Sequence, residues 1–158
     1  MNIRVAGQTE AEALTVLIND AFREESVFKI GDRIQVDQVR GYFAKGTFFV
    51  AGDEDKLAGC VFVELRGERA YLGLLSVSPT RRRQGLGGLL MTHAEAFCRE
   101  KGCRFVDIDI VNLRTELSPY YQRHGYRETG TAPFPVPERT NMPCHFITMS
   151  KDLTHSPG

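Results

Sequence analysis

Val77-Ser78-Pro79-Thr80-Arg81-Arg82-Arg83-Gln84-Gly85-Leu86-Gly87-Gly88 is the stretch on which the reading of this chain turns. Before it, Ala70 to Val77 has the aliphatic pattern of a strand. After it, Leu86, Leu89, Leu90, Ala94 and Phe97 recur at helical spacing, with Thr92, Glu95, Arg99 and Glu100 on the other face. Gly102 stands where a C′ glycine ends such a helix. The segment therefore leaves a strand, passes three arginines and enters a helix through closely spaced glycines. A helix start offers unpaired N–H groups and the positive end of the dipole. Glycines let a ligand approach the backbone, and arginines add charge. The physics describes a phosphate or pyrophosphate cradle, set against a plainer reading as a solvated basic loop with glycines for a tight turn.

Working outward, Phe105 to Val111 is predicted as a strand, and strand–helix–strand implies one parallel, right-handed crossover. Upstream, Thr47–Ala51, Leu57–Leu65 and Ala70–Val77 are strands joined by turns at Gly52-Asp53-Glu54-Asp55 and Arg66-Gly67-Glu68. Connections that short make an antiparallel meander. Ile3–Val5 reads as a first strand, and Thr9 as an N-cap with Glu12 its capping-box partner. The helix they open carries Ala13, Leu14, Leu17, Ile18, Ala21 and Phe22 on one face, and a second short helix runs from Val36 to Ala44. Ser118-Pro119, as N-cap and N1, opens a short helix through His124, ended by Gly125. Pro133, Pro135, Pro137 and Pro143 mark a long loop, and Cys144–Met149 is the last strand. The order β-α-α-β-β-β-α-β-α-β is α+β with a mixed sheet.

The chain has 158 residues, 42% of them hydrophobic, with Lys+Arg 20 against Asp+Glu 20. One domain over residues 1–153 and a frayed tail over 154–158 are expected. The balanced charge speaks against a nucleic-acid or anionic-membrane binder. No apolar run nears the roughly 20 residues that span a bilayer, and the N-terminus lacks a secretion-signal layout, so a cytoplasmic protein is expected. Cys60, Cys98, Cys103 and Cys144 lack zinc-ligand spacing, read as packing residues, and no metal is expected.

Among phosphate motifs, Walker A fails because Leu89 follows Gly87-Gly88 where Lys-Ser/Thr is required. The dinucleotide fingerprint fits at Gly85 and Gly87, with Asp107 at the ribose distance, but its third glycine is Leu90 and a polar heptad separates strand from glycine. What the segment resembles is the acetyl-CoA motif of the GCN5-related N-acetyltransferase (GNAT) superfamily. That pattern, Arg/Gln-x-x-Gly-x-Gly/Ala after a strand ending Val-x-Pro, is matched by Arg82-Arg83-Gln84-Gly85-Leu86-Gly87 after Val77-Ser78-Pro79. The likeness extends to Asn112 at the next strand's end, to Tyr121-Gln122-Arg123-His124-Gly125-Tyr126, and to Met149-Ser150-Lys151-Asp152-Leu153.

The resemblance implies a mostly antiparallel sheet with helices on both faces, and acetyl-CoA as co-substrate. Its pyrophosphate would meet backbone N–H groups of Arg82, Arg83, Gln84, Gly85, Leu86 and Gly87, with Gly88 nearby. Its pantetheine arm would pair with the edge at Leu75, Ser76 and Val77, and Asn112 would add a polar contact. Tyr121 resembles the tyrosine that protonates the departing thiolate; a phenol of pKa about 10 holds its proton at neutral pH. The plainer alternative packs Tyr121 with Tyr120 and Tyr126 under the sheet. The implied reaction is direct attack by a primary amine of a small molecule or peptide, with a backbone N–H of the fourth strand stabilising the carbonyl oxygen. Many relatives carry a glutamate on that strand, whereas Ala70–Val77 has no carboxylate. Glu64, Asp107, Asp109, Glu25 or water remain as base, with His145 and His124 weaker. The stretches 23–37 and 131–143, with mixed charges and Phe28, Phe134 and Pro135, are expected to border the acceptor cleft. A non-catalytic acyl-CoA-binding regulatory module is the alternative, and the resemblance also allows a homodimer.

Overall fold

The computed structural model describes residues 2–23, 33–53, 56–81, 84–134 and 143–154. Seven strands form one sheet in the order β1-β2-β3-β4-β5-β7-β6. They are β1 Ile3–Val5, β2 Thr47–Asp53, β3 Lys56–Arg66, β4 Arg69–Val77, β5 Phe105–Val111, β6 Arg127–Pro133 and β7 His145–Asp152. Only β4 and β5 pair in parallel. Among the described residues, four α-helices flank them: α1 Ala11–Ala21, α2 Val36–Phe43, α3 Leu86–Glu100 and α4 Leu117–Arg123.

The meander, the crossover and the α+β class are as expected, and β6 is an added strand. It pairs with β7 from Arg127↔Ser150 to Pro133↔His145 at the sheet's outer edge. Most of its side chains face solvent, so it has no apolar alternation to read; its charges and terminal proline suit an edge that must not recruit another strand.

Two helix starts differ from expectation. A 3₁₀ turn over Gln8–Glu10 precedes α1, and Gly7, not Thr9, is its N-cap. The Gly7 N–H donates to Glu10 Oε2 at 2.9 Å. Arg4 decides the matter: its guanidinium grips the buried Glu10 carboxylate at 2.6 and 3.0 Å, which leaves Glu12 exposed outside the box. Glu116, not Ser118, caps α4. The Ser118 hydroxyl instead bonds the Glu128 carboxylate on β6.

Strand alternation divides the core between the two sheet faces. Phe48, Val50, Cys60, Phe62 and Leu74 pack under α1 and α2 with Leu14, Leu17, Ile18 and Val39. Phe49, Val61, Val63, Val106, Ile108 and Met149 pack under α3 with Leu90, Met91, Ala94 and Cys98. Cys60, Cys98 and Cys103 are buried free thiols, and burial pushes Cys60 and Cys98 up to about 12. On the second face, α3 also carries a buried acid. Glu95 accepts from Tyr126 Oη at 2.9 Å and from Lys151 Nζ at 2.8 Å, tying α3 to the turn after α4 and to β7.

Candidate active site

Beyond three rungs, Arg69↔Phe105, Ala70↔Val106 and Tyr71↔Asp107, β4 and β5 part. β4 continues against β3 as far as Val77, so its β5-facing edge from Leu72 onward has no strand partner among the described residues. The gap is a cavity of about 730 Å³ that passes between the strands. Gly85, Leu86, Gly87, Tyr120 and Tyr121 line it from the α3 and α4 face, and Ala21, Phe22 and Gln38 from the α1 and α2 face.

A bulge reinforces the parting. Cys60 and Phe62 of β3 face Ser76 and Gly73 of β4, which gives β4 an extra residue. Leu74 there has φ +54°, a left-handed conformation that costs a side-chain-bearing residue about 1–2 kcal/mol. Its carbonyl accepts from Ser76 Oγ at 2.9 Å and from Cys60 Sγ at 3.5 Å, which anchors the distortion.

At the start of α3, Gly85 is the N-cap in a left-handed conformation, φ 75°, with open space where a Cβ would stand. A Cβ on Gly87 would come 2.9 Å from Tyr120 Oη. Glycine is thus favoured by conformation at Gly85, whereas a side chain at Gly87 would displace the Tyr120 hydroxyl. Leu75, Ser76, Val77, Gly85, Leu86 and Gly87 of the expected contact set lie on the cavity wall, joined by Arg81. Gln84 is exposed and off the wall, and Gly88 faces His124 Cε1, to which a Cβ would come within 3.1 Å. Asn112 is also off the wall: its Oδ1 accepts the His145 N–H at 2.8 Å and fastens the end of β5 to β7. Arg82 and Arg83 lie outside the described residues, as do Glu25, Phe28 and Pro135.

Tyr121 reaches the cavity from α4. Its ring also packs edge-on against Tyr120 and Tyr126, at centroid distances of 5.2 and 5.9 Å, so packing and an active-site position coexist. Burial, helped by Tyr120 and opposed by Arg114, raises its hydroxyl above the ordinary phenol value. Tyr71 lines the same cavity and is pushed up to about 12, by burial first and by the Asp109 charge second. Both phenols therefore hold their protons at neutral pH.

The candidate bases separate by their partners. Arg66 Nε donates to Glu64 at 2.9 Å and holds its carboxyl low. Arg69 grips Asp107 at 2.8 and 2.6 Å, with Ser150 alongside, to the same effect. Asp109 lines the cavity, and its carboxyl is raised, chiefly by burial and also by Asp107, against the pull of Arg66. His124 packs on Tyr120 and is lowered by burial; His145 is exposed. Phe134 lines the cavity with its ring 5.4 Å from that of Phe146. Among the described residues, no group of three His, Cys, Asp or Glu side chains is arranged to hold a metal. Tyr71 and Tyr120 went unmarked in the sequence as cavity residues. Alternation along Ala70–Val77 puts Tyr71 and Gly73 on the face opposite Ala70 and Leu72, but nothing in the sequence says that β5 leaves the edge of β4 open beyond Tyr71.

The sequence model described as Acetyltransferase (GNAT) family matches residues 12–126. Streptothricin acetyltransferase of Streptomyces lavendulae is 30% identical over 86 residues, 53% of this chain and 46% of that protein. The match thus spans less than half of that relative's length. Among solved structures, the ribosomal-protein-S18-alanine N-acetyltransferase of Escherichia coli superposes with a TM-score of 0.78 at 15% identity, covering 98% of this chain and 95% of that one. A GNAT family acetyltransferase from Elizabethkingia anophelis with acetyl-CoA bound gives 0.65 at 18% identity, covering 73% and 82%. At such identities the structural likeness is one of fold. With more than half of its length matched by the family model, the chain belongs to the GNAT acetyltransferase family.

Proposed function

We propose that the chain is an acetyl-CoA-dependent N-acetyltransferase acting on a primary amine by direct attack in a ternary complex. The observation that carries this reading is the gap between β4 and β5. It opens at the glycine-rich start of α3 on one sheet face and beside Phe22 on the other, so that two substrates can meet within the sheet. The co-substrate pyrophosphate sits on the N–H groups from Arg82 to Gly87, where the helix dipole and Arg81 favour an anion. The pantetheine arm extends along the free edge at Leu75, Ser76 and Val77 as an added strand would. A Cβ at Gly87 would crowd this cradle.

In the transfer step the amine nitrogen bonds to the thioester carbon and the carbon–sulfur bond breaks. Tyr121 gives its proton to the departing sulfur, a role suited to a phenol that burial keeps protonated. The nitrogen's proton passes to Asp109, directly or through water. Asp109 is preferred to Glu64 and Asp107 because those two are occupied by arginines and lie low, whereas a raised carboxyl is the better base. The bulge at Leu74 frees main-chain groups of β4, and an N–H there is the donor for the carbonyl oxygen.

Thiol release from acetyl-CoA across a panel of amines tests the reading. The wild type is expected to release thiol, and Tyr121→Phe to lower kcat by about 10²-fold or more while CoA affinity is kept. Gly85→Trp is expected to abolish CoA binding by filling the open approach to the backbone. Binding without turnover for every amine, with no change on Tyr121→Phe, would instead identify a non-catalytic acyl-CoA-binding module.

A further inference from the structure

Charge along the cavity is mostly accounted for. Arg114 Nε binds Glu116 at 2.8 Å, Arg123 stands 5.9 Å from the Tyr120 ring centroid, and Arg81 belongs to the turn before α3. Glu64 and Asp107 are taken by Arg66 and Arg69. Two groups on the wall stand apart. Arg33 lies beside the end of α1, its guanidinium carbon 5.4 Å from the Phe22 ring centroid. Its Nε is buried and meets no hydrogen-bond acceptor among the described residues. Asp109, the second, forms no ion pair or hydrogen bond among the described residues. A buried donor left unsatisfied costs about 1–3 kcal/mol, so Arg33 Nε is open to an acceptor atom that a ligand brings.

The two charges also share a neighbourhood. The Tyr71 hydroxyl is raised by Asp109 and lowered by Arg33, and it interacts in turn with Tyr121. Arg33, Tyr71, Asp109 and Tyr121 all line the same cavity, so a positive and a negative group share its wall with the proposed acid.

We infer that the acceptor is a small amine bearing a compact oxyanion, foremost a carboxylate, which Arg33 holds while the amine faces Asp109 and Tyr121. This rests on the transferase reading and narrows it. A planar guanidinium matches a carboxylate with two parallel hydrogen bonds. Phe22, Phe134 and Phe146 supply apolar surface for the body of such a molecule. A polycation meets Arg33 as a repulsive charge, and the amine terminus of a long peptide brings no oxyanion near its nitrogen.

The test pairs each of the common L-α-amino acids with its own carboxamide and adds aminophosphonate analogues and spermidine. Thiol release is measured with acetyl-CoA, and direct titration with CoA present. At least one acid is expected to exceed its amide by about 10²-fold in kcat/KM. Arg33→Gln is expected to remove about tenfold or more of that advantage, mainly through KM, and Arg33→Lys to recover part of it. Titration with CoA checks that each variant remains folded. Preference for the phosphonate over the acid would identify a tetrahedral oxyanion as the ligand. Amides or spermidine used as well as the acids, or an acid-to-amide ratio untouched by Arg33→Gln, would overturn the inference. So would failure of every acid and phosphonate to bind. Arg33-dependent binding of an acid with no thiol release for any amine would overturn the transferase reading and leave the oxyanion site standing.

Discussion

Asp109 stands where catalysis and stability pull apart. Asp109 is exposed, yet desolvation by the protein around the cavity holds its carboxyl above the ordinary aspartate value against the pull of Arg66, so the folded protein mildly disfavours the charged form that a base must adopt. The stability associated with this group is complete below the unfolded value of about 3.9 and is lost as pH rises through the raised folded value. Asp109→Asn is therefore expected to raise Tm at pH 7 only slightly, because the side chain is exposed to solvent, with the difference closing below about pH 4. The same substitution should lower kcat/KM and erase the acidic limb of its pH profile. Thermal melts and pH–rate profiles of the two proteins check both halves; a variant that loses stability at pH 7 would mean that Asp109 is charged at no cost. The place of Tyr121 on the cavity wall was legible in the sequence because its motif is local. Arg33 was visible there only as one charge among several, since its meaning comes from what fails to meet it in space. Asn112 shows the converse: its position at the end of β5 matched expectation, but its side chain serves β7.

Among the elements, α3 was legible from both ends, because its glycine start and apolar stripe are written in consecutive residues. β6 was not. A strand whose side chains mostly face water declares itself only through main-chain pairing, which leaves no pattern in side-chain polarity. The starts of α1 and α4 were missed for a related reason: Arg4 and Glu128 redirect the candidate capping residues, and neither lies in the local signal. The Met-x-Lys-x-Leu ending acquires a physical cause, since Met149 and Leu153 enter the core while Lys151 neutralises Glu95. Removing the cation leaves a buried carboxylate with the Tyr126 hydroxyl still donating to it. Lys151→Met is expected to cost about 1–3 kcal/mol in urea or thermal unfolding, below the full cost of an unpaired buried ion. Glu95→Leu and Lys151→Met combined with Tyr126→Phe should recover most of that loss, because together they remove the unpaired charge and the buried hydroxyl that donates to Glu95. A triple variant no more stable than Lys151→Met alone would show that this polar cluster is not what holds α3 to β7.

For the whole molecule, two half-sheets, β1 to β4 and β5-β7-β6, are joined by three rungs alone. A co-substrate lying along the free edge would bear on both halves. At a concentration one hundred times its Kd, CoA should add about 2.7 kcal/mol to stability. Hydrogen exchange should slow selectively at 72–77 and 108–111, while β2 and β3 change little. Equal slowing throughout the sheet would place the ligand elsewhere. The meander and the crossover were readable because short connections and period changes dictate them. The parting of β4 from β5 was not, because both strands look like ordinary partners until the extra residue at Leu74 is counted.

That shortness of the ladder carries an evolutionary consequence. Each further rung between β4 and β5 would make a sounder sheet and a narrower passage, so selection for rigidity and selection for turnover oppose each other at the same few peptide groups. Stabilising changes sought by directed evolution should accumulate in the outer strands and helices and avoid this seam; those that zip it should yield a sturdier protein with its two doorways sealed.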